Sequence, residues 1–212
     1  MFSKSKNLIR IQKILKNKDF KIPKFFLIKK KDFYNHKKNL LHIKNNLANK
    51  KIIVRSSGFN EDKLKNSNAG KYDSVFIYKF NERKIIKAIE LVSKKLKHSK
   101  DEIIIQELIT KPDISGVIFS KDINSASPYF IINYDKSGKT NLITSGQKNT
   151  SMGTLIIYGK YNYNGVFKRI LSIIKKFEKI FKDTILDVEF AIKNNRIYIF
   201  QCRNLKKFNY KN

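Results

Sequence analysis

Cysteine is nearly missing from this chain. Cys202 is its only one, so no internal disulfide can form, and a lone thiol fits a reducing compartment. Tryptophan is absent, although 16 Phe and 10 Tyr, with abundant Ile, supply enough bulk for a core. Acidic residues are scarce, 17 against 46 Lys and Arg. No apolar run approaches the roughly 18 to 20 residues needed to span a bilayer. The opening Met1-Phe-Ser-Lys-Ser-Lys6 lacks the apolar stretch of a signal peptide. These absences point to a cytoplasmic protein with no membrane partner.

The net charge of +29 raises nucleic acid as a partner, because Lys and Arg bind phosphates by releasing counterions. The pattern argues against a specific interaction. Lys far outnumbers Arg, and Asn and Ile are abundant beside it, as in an A- and T-rich coding sequence. The lysines are spread along the whole chain, and the densest run, Lys29 to Lys31, is short. No zinc-finger spacing, basic zipper or RNA-binding aromatic motif accompanies them. A basic cleft that favours an anionic ligand such as a nucleotide is the better expectation. At 212 residues and 41% hydrophobic, the chain suffices for one substantial domain or two small lobes.

Periodicity places the elements. Leu8, Ile11, Ile14 and Leu15 predict a helix over 5–18, and Phe20 to Ile28 reads as extended, with Pro23 barring a helix interior. Asp32 is a candidate cap for a second helix carrying Phe33, Leu40, Ile43 and Leu47. Lys51 to Val54 reads as a buried strand that turns at Arg55-Ser-Ser-Gly58. A polar loop follows over 59–71, then a strand over 74–78. Ile85, Ile89, Val92 and Leu96 mark a third helix. Ile103 to Ile109 predicts a strand ending before Pro112. Segments 116–120, 129–133 and 154–158 predict an antiparallel sheet separated by turn residues. The last helix is expected over about 166–182, with Phe167, Ile170, Leu171, Ile174, Phe177 and Phe181 on its buried stripe. The reading is α+β in two lobes.

The most informative stretch closes the chain. Ile185-Leu-Asp-Val-Glu-Phe-Ala-Ile192 and Arg196-Ile-Tyr-Ile-Phe-Gln-Cys-Arg203 are strand-like, and Lys193-Asn-Asn-Arg196 supplies hairpin chemistry between them. Asp187 and Glu189 are two apart and share a face, as do Gln201 and Arg203, while Cys202 points the other way. Oxygen ligands from Glu189 and Gln201 suit Mg²⁺, and an Arg beside them suits a phosphate. The competing reading is an ordinary amphipathic hairpin with a solvated face.

Several segments, in order, resemble one family: the N-terminal ATP-binding domain of phosphoenolpyruvate synthase, pyruvate phosphate dikinase and the rifampin phosphotransferases. Ile53-Val-Arg-Ser-Ser57, Glu61-Asp62 and Ser67-Asn-Ala-Gly70 look like its V-R-S-S…E-D…S-F-A-G run. Ile103-Ile-Ile-Gln-Glu-Leu-Ile109 is similar to its V-V-V-Q-x-M-V strand, and Ser115-Gly-Val-Ile-Phe-Ser-Lys-Asp122 to its S-G-V-x-F-T-x-D. Asp187-Val-Glu-Phe-Ala with Gln201-Cys-Arg203 matches its D-I-E-W-A with L-Q-x-R at the family's spacing. Ser3 to Leu8 and Ile22-Pro-Lys-Phe-Phe26 loosely resemble its openings G-G-K-G-x-N-L and V-P-x-G-F.

The resemblance implies an ATP-grasp fold: two lobes with antiparallel sheets and the nucleotide cleft between them, an N-terminal lobe over 1–102 and a C-terminal lobe over 103–212. It implies ATP and Mg²⁺ as cofactors, and a phosphotransferase as the activity. Glu189 and Gln201 would hold Mg²⁺, and Arg203 would contact the transferring phosphate, with Asp187 only orienting the others. Arg55 would be a second phosphate-binding guanidinium, or else an ion-pair partner of Glu61 or Asp62. Lys4, Ser67, Ala69, Gly70 and Lys71 would surround the phosphates, where a small residue lets backbone amides approach. Gln106, Glu107, Leu108 and Ile109 would line the adenine at a hinge.

Departures matter too. The family's G-L-G-E…V-S-G appears as Lys136-Ser-Gly-Lys139 and Ile143-Thr-Ser-Gly146, without the acidic residue, and Lys4 is flanked by serines instead of glycines. None of His36, His42 and His98 sits in the family's T-S-H context. The phosphoryl acceptor is therefore expected on a separate phosphohistidine-carrier or acceptor-binding protein, or as a small molecule. The alternative is a non-catalytic nucleotide-binding or scaffold module derived from the same fold.

Overall fold

Apolar residues at strand and helix spacing gather into two separate cores, and each core is built on its own sheet. A computed structural model of the chain describes residues 4–14, 20–58, 74–139, 150–160, 162–182 and 184–205. The chain divides into two units, one of residues 2–5 and 23–109, the other of residues 1, 6–22 and 110–212.

The first unit carries a four-stranded antiparallel sheet in the order β2 (Phe25–Lys29), β5 (Glu102–Glu107), β3 (Ile52–Ser57) and β4 (Val75–Ile77). Ile28, Ile52, Val54, Ile103 and Ile105 project from one face. They pack with Ile43 and Leu47 of α2 (His36–Leu47) and with Ile85, Ile89 and Val92 of α3 (Glu82–Ser93). Both helices start on an asparagine cap: Asn35 accepts from the Lys38 N–H at 3.2 Å, and Asn81 from the Lys84 N–H at 2.9 Å. Asp32, expected as the α2 cap, lies instead in a 3₁₀ turn whose carbonyl accepts from the Asn39 amide. The chain needs that extra turn to leave β2, so the cap falls three residues later.

The second unit carries a six-stranded sheet in the order β1 (Phe20–Lys21), β10 (Arg196–Leu205), β9 (Ile185–Lys193), β6 (Ile114–Phe119), β7 (Tyr129–Asp135) and β8 (Met152–Tyr158). All neighbours are antiparallel except the short β1, which runs parallel to β10. One face packs on α4 (Lys168–Ile180). Ile170, Leu171, Ile174 and Phe177 meet Ile118, Ile132, Val188, Phe190 and Ile199, with Ile11 of α1 (Lys4–Ile14) in the same cluster. Phe167 and Phe181, just beyond the ends of α4, complete the expected stripe.

Two boundaries differ from expectation. The break between units falls after Ile109 instead of after residue 102, because Ile103, Ile104 and Ile105 pair with β2 and β3 on either side. Residues 6–22 join the second unit, because Phe20 and Lys21 pair with Ile197 and Tyr198. No described helix is long and apolar enough to cross a membrane.

Candidate functional site

The closing hairpin carries the densest chemistry. Arg196 pairs with Lys193 across a two-residue turn, and both turn residues take positive φ, Asn194 at 49° and Asn195 at 58°. Asparagine tolerates that conformation, and its twist matches the flanking strands. From the turn the ladder keeps Ile197 opposite Ile192 and Ile199 opposite Phe190, all four in the α4-facing core. The register then shifts by one at Phe200, a β-bulge. Beyond it Gln201 lies opposite Glu189, Cys202 opposite Val188 and Arg203 opposite Asp187.

That shift decides which face each side chain takes. Strict alternation would send Gln201 and Arg203 to the face of Ile197 and Ile199. The bulge sends Cys202 into the core instead and turns Gln201 and Arg203 to the opposite face, beside Glu189 and Asp187. The four expected residues therefore stand on two adjacent rungs of one face. Residues paired in this way have Cβ atoms about 4.5 to 5.5 Å apart.

Within the set, Arg203 Nη2 donates to Asp187 Oδ2 at 2.6 Å. The planar fork of the guanidinium is thereby aimed by a buried carboxylate. Glu189, half-buried, and Gln201, buried, form the other rung. The rungs continue across the sheet: Val117, Asn133 and Thr154 extend the Glu189 row, and Phe119, Ile131 and Ile156 extend the Asp187 row. Thr154 Oγ1 donates to Asn133 Oδ1 at 2.8 Å. Apart from Val117 the first row is polar, whereas beyond Asp187 the second is apolar. In the next row Asp135, opposite Ser115, accepts from the hydroxyls of Ser137 and Ser151. Burial pushes its carboxyl pKa up, but those hydroxyl bonds, with Lys139, outweigh burial and hold it below the usual value.

A residue outside the expected site supports this one. The buried Asn7 of α1 donates through Nδ2 to the Cys202 carbonyl at 3.0 Å and to Asn204 Oδ1 at 3.2 Å. Those two residues flank Arg203. Since β1 pairs only with Ile197 and Tyr198, Asn7 meets β10 where no further strand does among the described residues. The signal for it was present: a buried-type position beside Leu8 on the apolar face of a helix, filled by an amide.

In the first unit Arg55 and Gln106 lie on the sheet face away from α2 and α3, whereas Glu107, opposite Ile52, is on the other face. Arg55 was expected where β3 turns; the strand instead continues to Ser57, and Arg55 sits within it opposite Ile104. The ladder with β5 carries β3 three residues further than its apolar run alone implied. Gln106 is buried opposite Ile53 and Phe25. Glu107 forms an ion pair with Lys50 at 3.0 Å. The Glu107 N–H donates to the Lys24 carbonyl at 2.8 Å and the Leu108 N–H to the Lys51 carbonyl at 2.7 Å, so both backbone donors are engaged within this unit. Ser57, Ser5 and Glu102 form a chain of hydrogen bonds, Ser57 Oγ to Ser5 Oγ at 3.2 Å and Ser5 Oγ to Glu102 Oε2 at 2.6 Å. Lys4 is the first residue of α1, but its side chain lies outside those described, as do Ser67, Ala69, Gly70 and Lys71, Glu61 and Asp62, and 143–146.

The three histidines have local roles. His36 Nε2 lies 3.3 Å from Glu90, the His42 ring sits 6.2 Å from that of Phe26, and His98 Nδ1 accepts from the Lys100 N–H.

Among the described residues no group of three or more His, Cys, Asp or Glu side chains could hold a metal. A closed zinc cage is therefore not present among them. Glu189 and Gln201 bring one carboxylate and one side-chain amide to the same rung of the hairpin. That donor set fits Mg²⁺, which takes one or two carboxylates and completes its shell with water and substrate phosphates.

No protein-family profile matches the sequence, and no curated protein does. Solved structures do resemble the fold. The D-alanine–D-alanine ligase of Bacillus anthracis aligns with a TM-score of 0.54 at 14% identity, over 96% of this chain and 56% of the ligase. The ligase of Helicobacter pylori aligns with a TM-score of 0.52 at 14% identity, over 97% of this chain and 51% of its own. The macrocyclase MdnC of Microcystis aeruginosa MRC, solved with the precursor peptide MdnA, aligns with a TM-score of 0.51 at 10% identity, over 98% and 54%. The chain thus spans about half the length of these structures. At such identities the likeness speaks to architecture alone, and the architecture is shared: this chain has the ATP-grasp fold.

Proposed function

We propose that this chain binds ATP with Mg²⁺ and promotes phosphoryl transfer from it, resembling the nucleotide-binding part of phosphoenolpyruvate synthase and pyruvate phosphate dikinase. The observation that carries the reading is the register of the hairpin, which sets Gln201 against Glu189 and Arg203 against Asp187 on one face. Glu189 and Gln201 would hold the metal. Bound there, Mg²⁺ would offset charge on the phosphate oxygens. Arg203, aimed by Asp187, would donate its N–H groups to the transferring phosphate, and such fixed donors stabilise charge without reorganising. Arg55, Lys4 and the segment of Ser67, Ala69, Gly70 and Lys71 would bind the remaining phosphate oxygens. The segment Gln106, Glu107, Leu108 and Ile109 would contact adenine. Since the Glu107 and Leu108 N–H groups are engaged in the sheet, its side chains and other backbone groups carry that contact.

Two acceptors fit this chemistry. The resemblance favours a histidine on a separate carrier protein. The solved structures suggest another class, since B. anthracis D-alanine–D-alanine ligase, also solved complexed with ATP, is named for joining D-alanine to D-alanine, and D-alanine carries a carboxylate. The test is isothermal titration of the purified chain with ATP, with and without Mg²⁺, beside Glu189→Ala. Binding that needs Mg²⁺ and is lost in Glu189→Ala supports the reading. Absence of binding with every nucleotide sinks it and leaves the non-catalytic module. Release of ADP on adding candidate carboxylates, against transfer to a histidine carrier, then separates the two acceptors.

A further inference from the structure

We propose that the outer edge of β8 pairs with the same edge of a second copy of this chain, as an antiparallel ladder across a two-fold axis at Leu155. Among the described residues the two sheets have four edge strands, and three of them are blunted in the usual ways. β1 is two residues long and is followed by Pro23, and β4 is three residues long. β2 ends on Lys29, the first of three consecutive lysines. Short length, proline and lysine all discourage pairing with another chain. β8 has none of these features. Its seven residues, Met152-Gly-Thr-Leu-Ile-Ile-Tyr158, hold no charge and no proline, in a chain that is 30% charged. Among the described residues no strand lies outside it.

The side chains on this edge point to an apolar occupant. Ile156 is 63% exposed, and the ring of Tyr158, at 42%, lies tilted beside that of Tyr129, with centroids 5.5 Å apart. Ile156 and Tyr158 lie on the face away from α4, whose core takes Ile157.

A second copy fits better than a foreign strand, because β8 is complementary to itself. An antiparallel pair centred on Leu155 sets Thr154 against Ile156, Met152 against Tyr158 and Gly153 against Ile157. Each apolar residue then has a neighbour, and the thioether of Met152 meets the Tyr158 ring. Two copies carrying +29 each repel almost everywhere else, and β8 is a stretch where they meet without opposing like charges. The contact is isologous, so it closes at two copies and does not propagate. Seven residues a side is well below the roughly 20 to 30 of a standard interface, so the dimer forms in a concentration-dependent equilibrium.

Light scattering after size exclusion, over a range of concentrations of the full chain, tests this. The expected result is a mass rising from one copy toward two, held at one copy by Ile156→Lys. That substitution is on an exposed side chain and adds the lysine that other edges use. Leu155→Cys lies on the axis and should form a disulfide-linked dimer under mild oxidation. Leu91→Cys, exposed on α3, should not, and the native Cys202 is buried. A single-copy mass at every concentration overturns the proposal. So does a dimer that survives Ile156→Lys, or one that fails to cross-link through Leu155→Cys.

Discussion

The ion pair between Asp187 and Arg203 makes a prediction whose size follows from the exposure of its two ends. The carboxylate side chain is 5% exposed and the guanidinium 29%, with 2.6 Å between the bonded atoms. Arg203→Met leaves the carboxylate charged, buried and without its cation. Removing one partner of a buried pair costs about 3–5 kcal/mol, and the depth of Asp187 puts this variant in that range. Asp187→Asn leaves the guanidinium, which reaches water and keeps an amide oxygen nearby, so its cost should be about 1–2 kcal/mol. The double variant Asp187→Asn/Arg203→Met removes both charges and should cost no more than the milder single, about 2 kcal/mol.

The coupling between the two positions is then about 3–5 kcal/mol, at or above the upper end for residues in contact. For a chain of this size a loss of 1 kcal/mol lowers the midpoint by about 2–4 °C, so Arg203→Met should melt roughly 6–20 °C below the wild type. The double variant should recover part of that loss. Urea unfolding of the four proteins, followed by circular dichroism, gives the cycle. Losses that add to within about 0.5 kcal/mol would refute the reasoning, because they would mean that the pair is not an energetic unit.

Three other outcomes follow from the same face and its core. Gly116 on β6 has the Phe190 ring 2.8 Å from where a Cβ would sit, and the Asn133 carbonyl closer still, so Gly116→Ala should cost about 1–3 kcal/mol in thermal unfolding. Asp135 is held below its ordinary 3.8 by Ser137 and Ser151 despite burial, so its contribution is fully present above about pH 4 and lost as pH falls through the folded value. The stability gap between wild type and Asp135→Asn, measured by urea titration at successive pH values, should narrow below that point. Cys202 is buried, and burial, with the Asp187 charge second, pushes its thiol far above the usual range. Labelling by a thiol reagent should therefore proceed only as fast as the C-terminal unit unfolds, and fast labelling of the folded chain would contradict this placement.

The parts of the fold that were legible in the sequence are those where a single period runs uninterrupted. The α4 stripe from Phe167 to Phe181 reads at helical spacing, and every member is buried. The Asn-Asn turn reads from residue type alone, because few other residues accept positive φ at two successive positions. Long-range pairing is where the reading failed. Nothing local to Ile103, Ile104 and Ile105 says that β2 and β3 will flank them, so the unit boundary was placed seven residues early. Arg55 looked like a turn residue because the apolar run stops at Val54, whereas ladder bonds to β5 carry the strand on to Ser57. The place of Asn7 on an apolar helix face is legible, but only its contact with β10 shows what its amide does.

The bulge at Phe200 is the point where these two kinds of information meet. Up to Ile199 the strand obeys the period set by the core, and from Gln201 it obeys the period set by Glu189 and Asp187 on the other face. Those periods differ by one residue, so no regular strand satisfies both. An extra residue reconciles them, and it must fall between the last core isoleucine and the first site residue, which leaves only Phe200. The spacing of Gln201-Cys-Arg203 from Asp187-Val-Glu189 therefore encodes a structural defect as well as a set of side chains. A hairpin whose opposite face were merely solvated would gain nothing from it, since Phe200 could be removed and the alternation kept. The ladder is interrupted at this rung, with a buried carboxylate aiming an arginine on the next rung but one, and the proposed ligand site rests on that interruption.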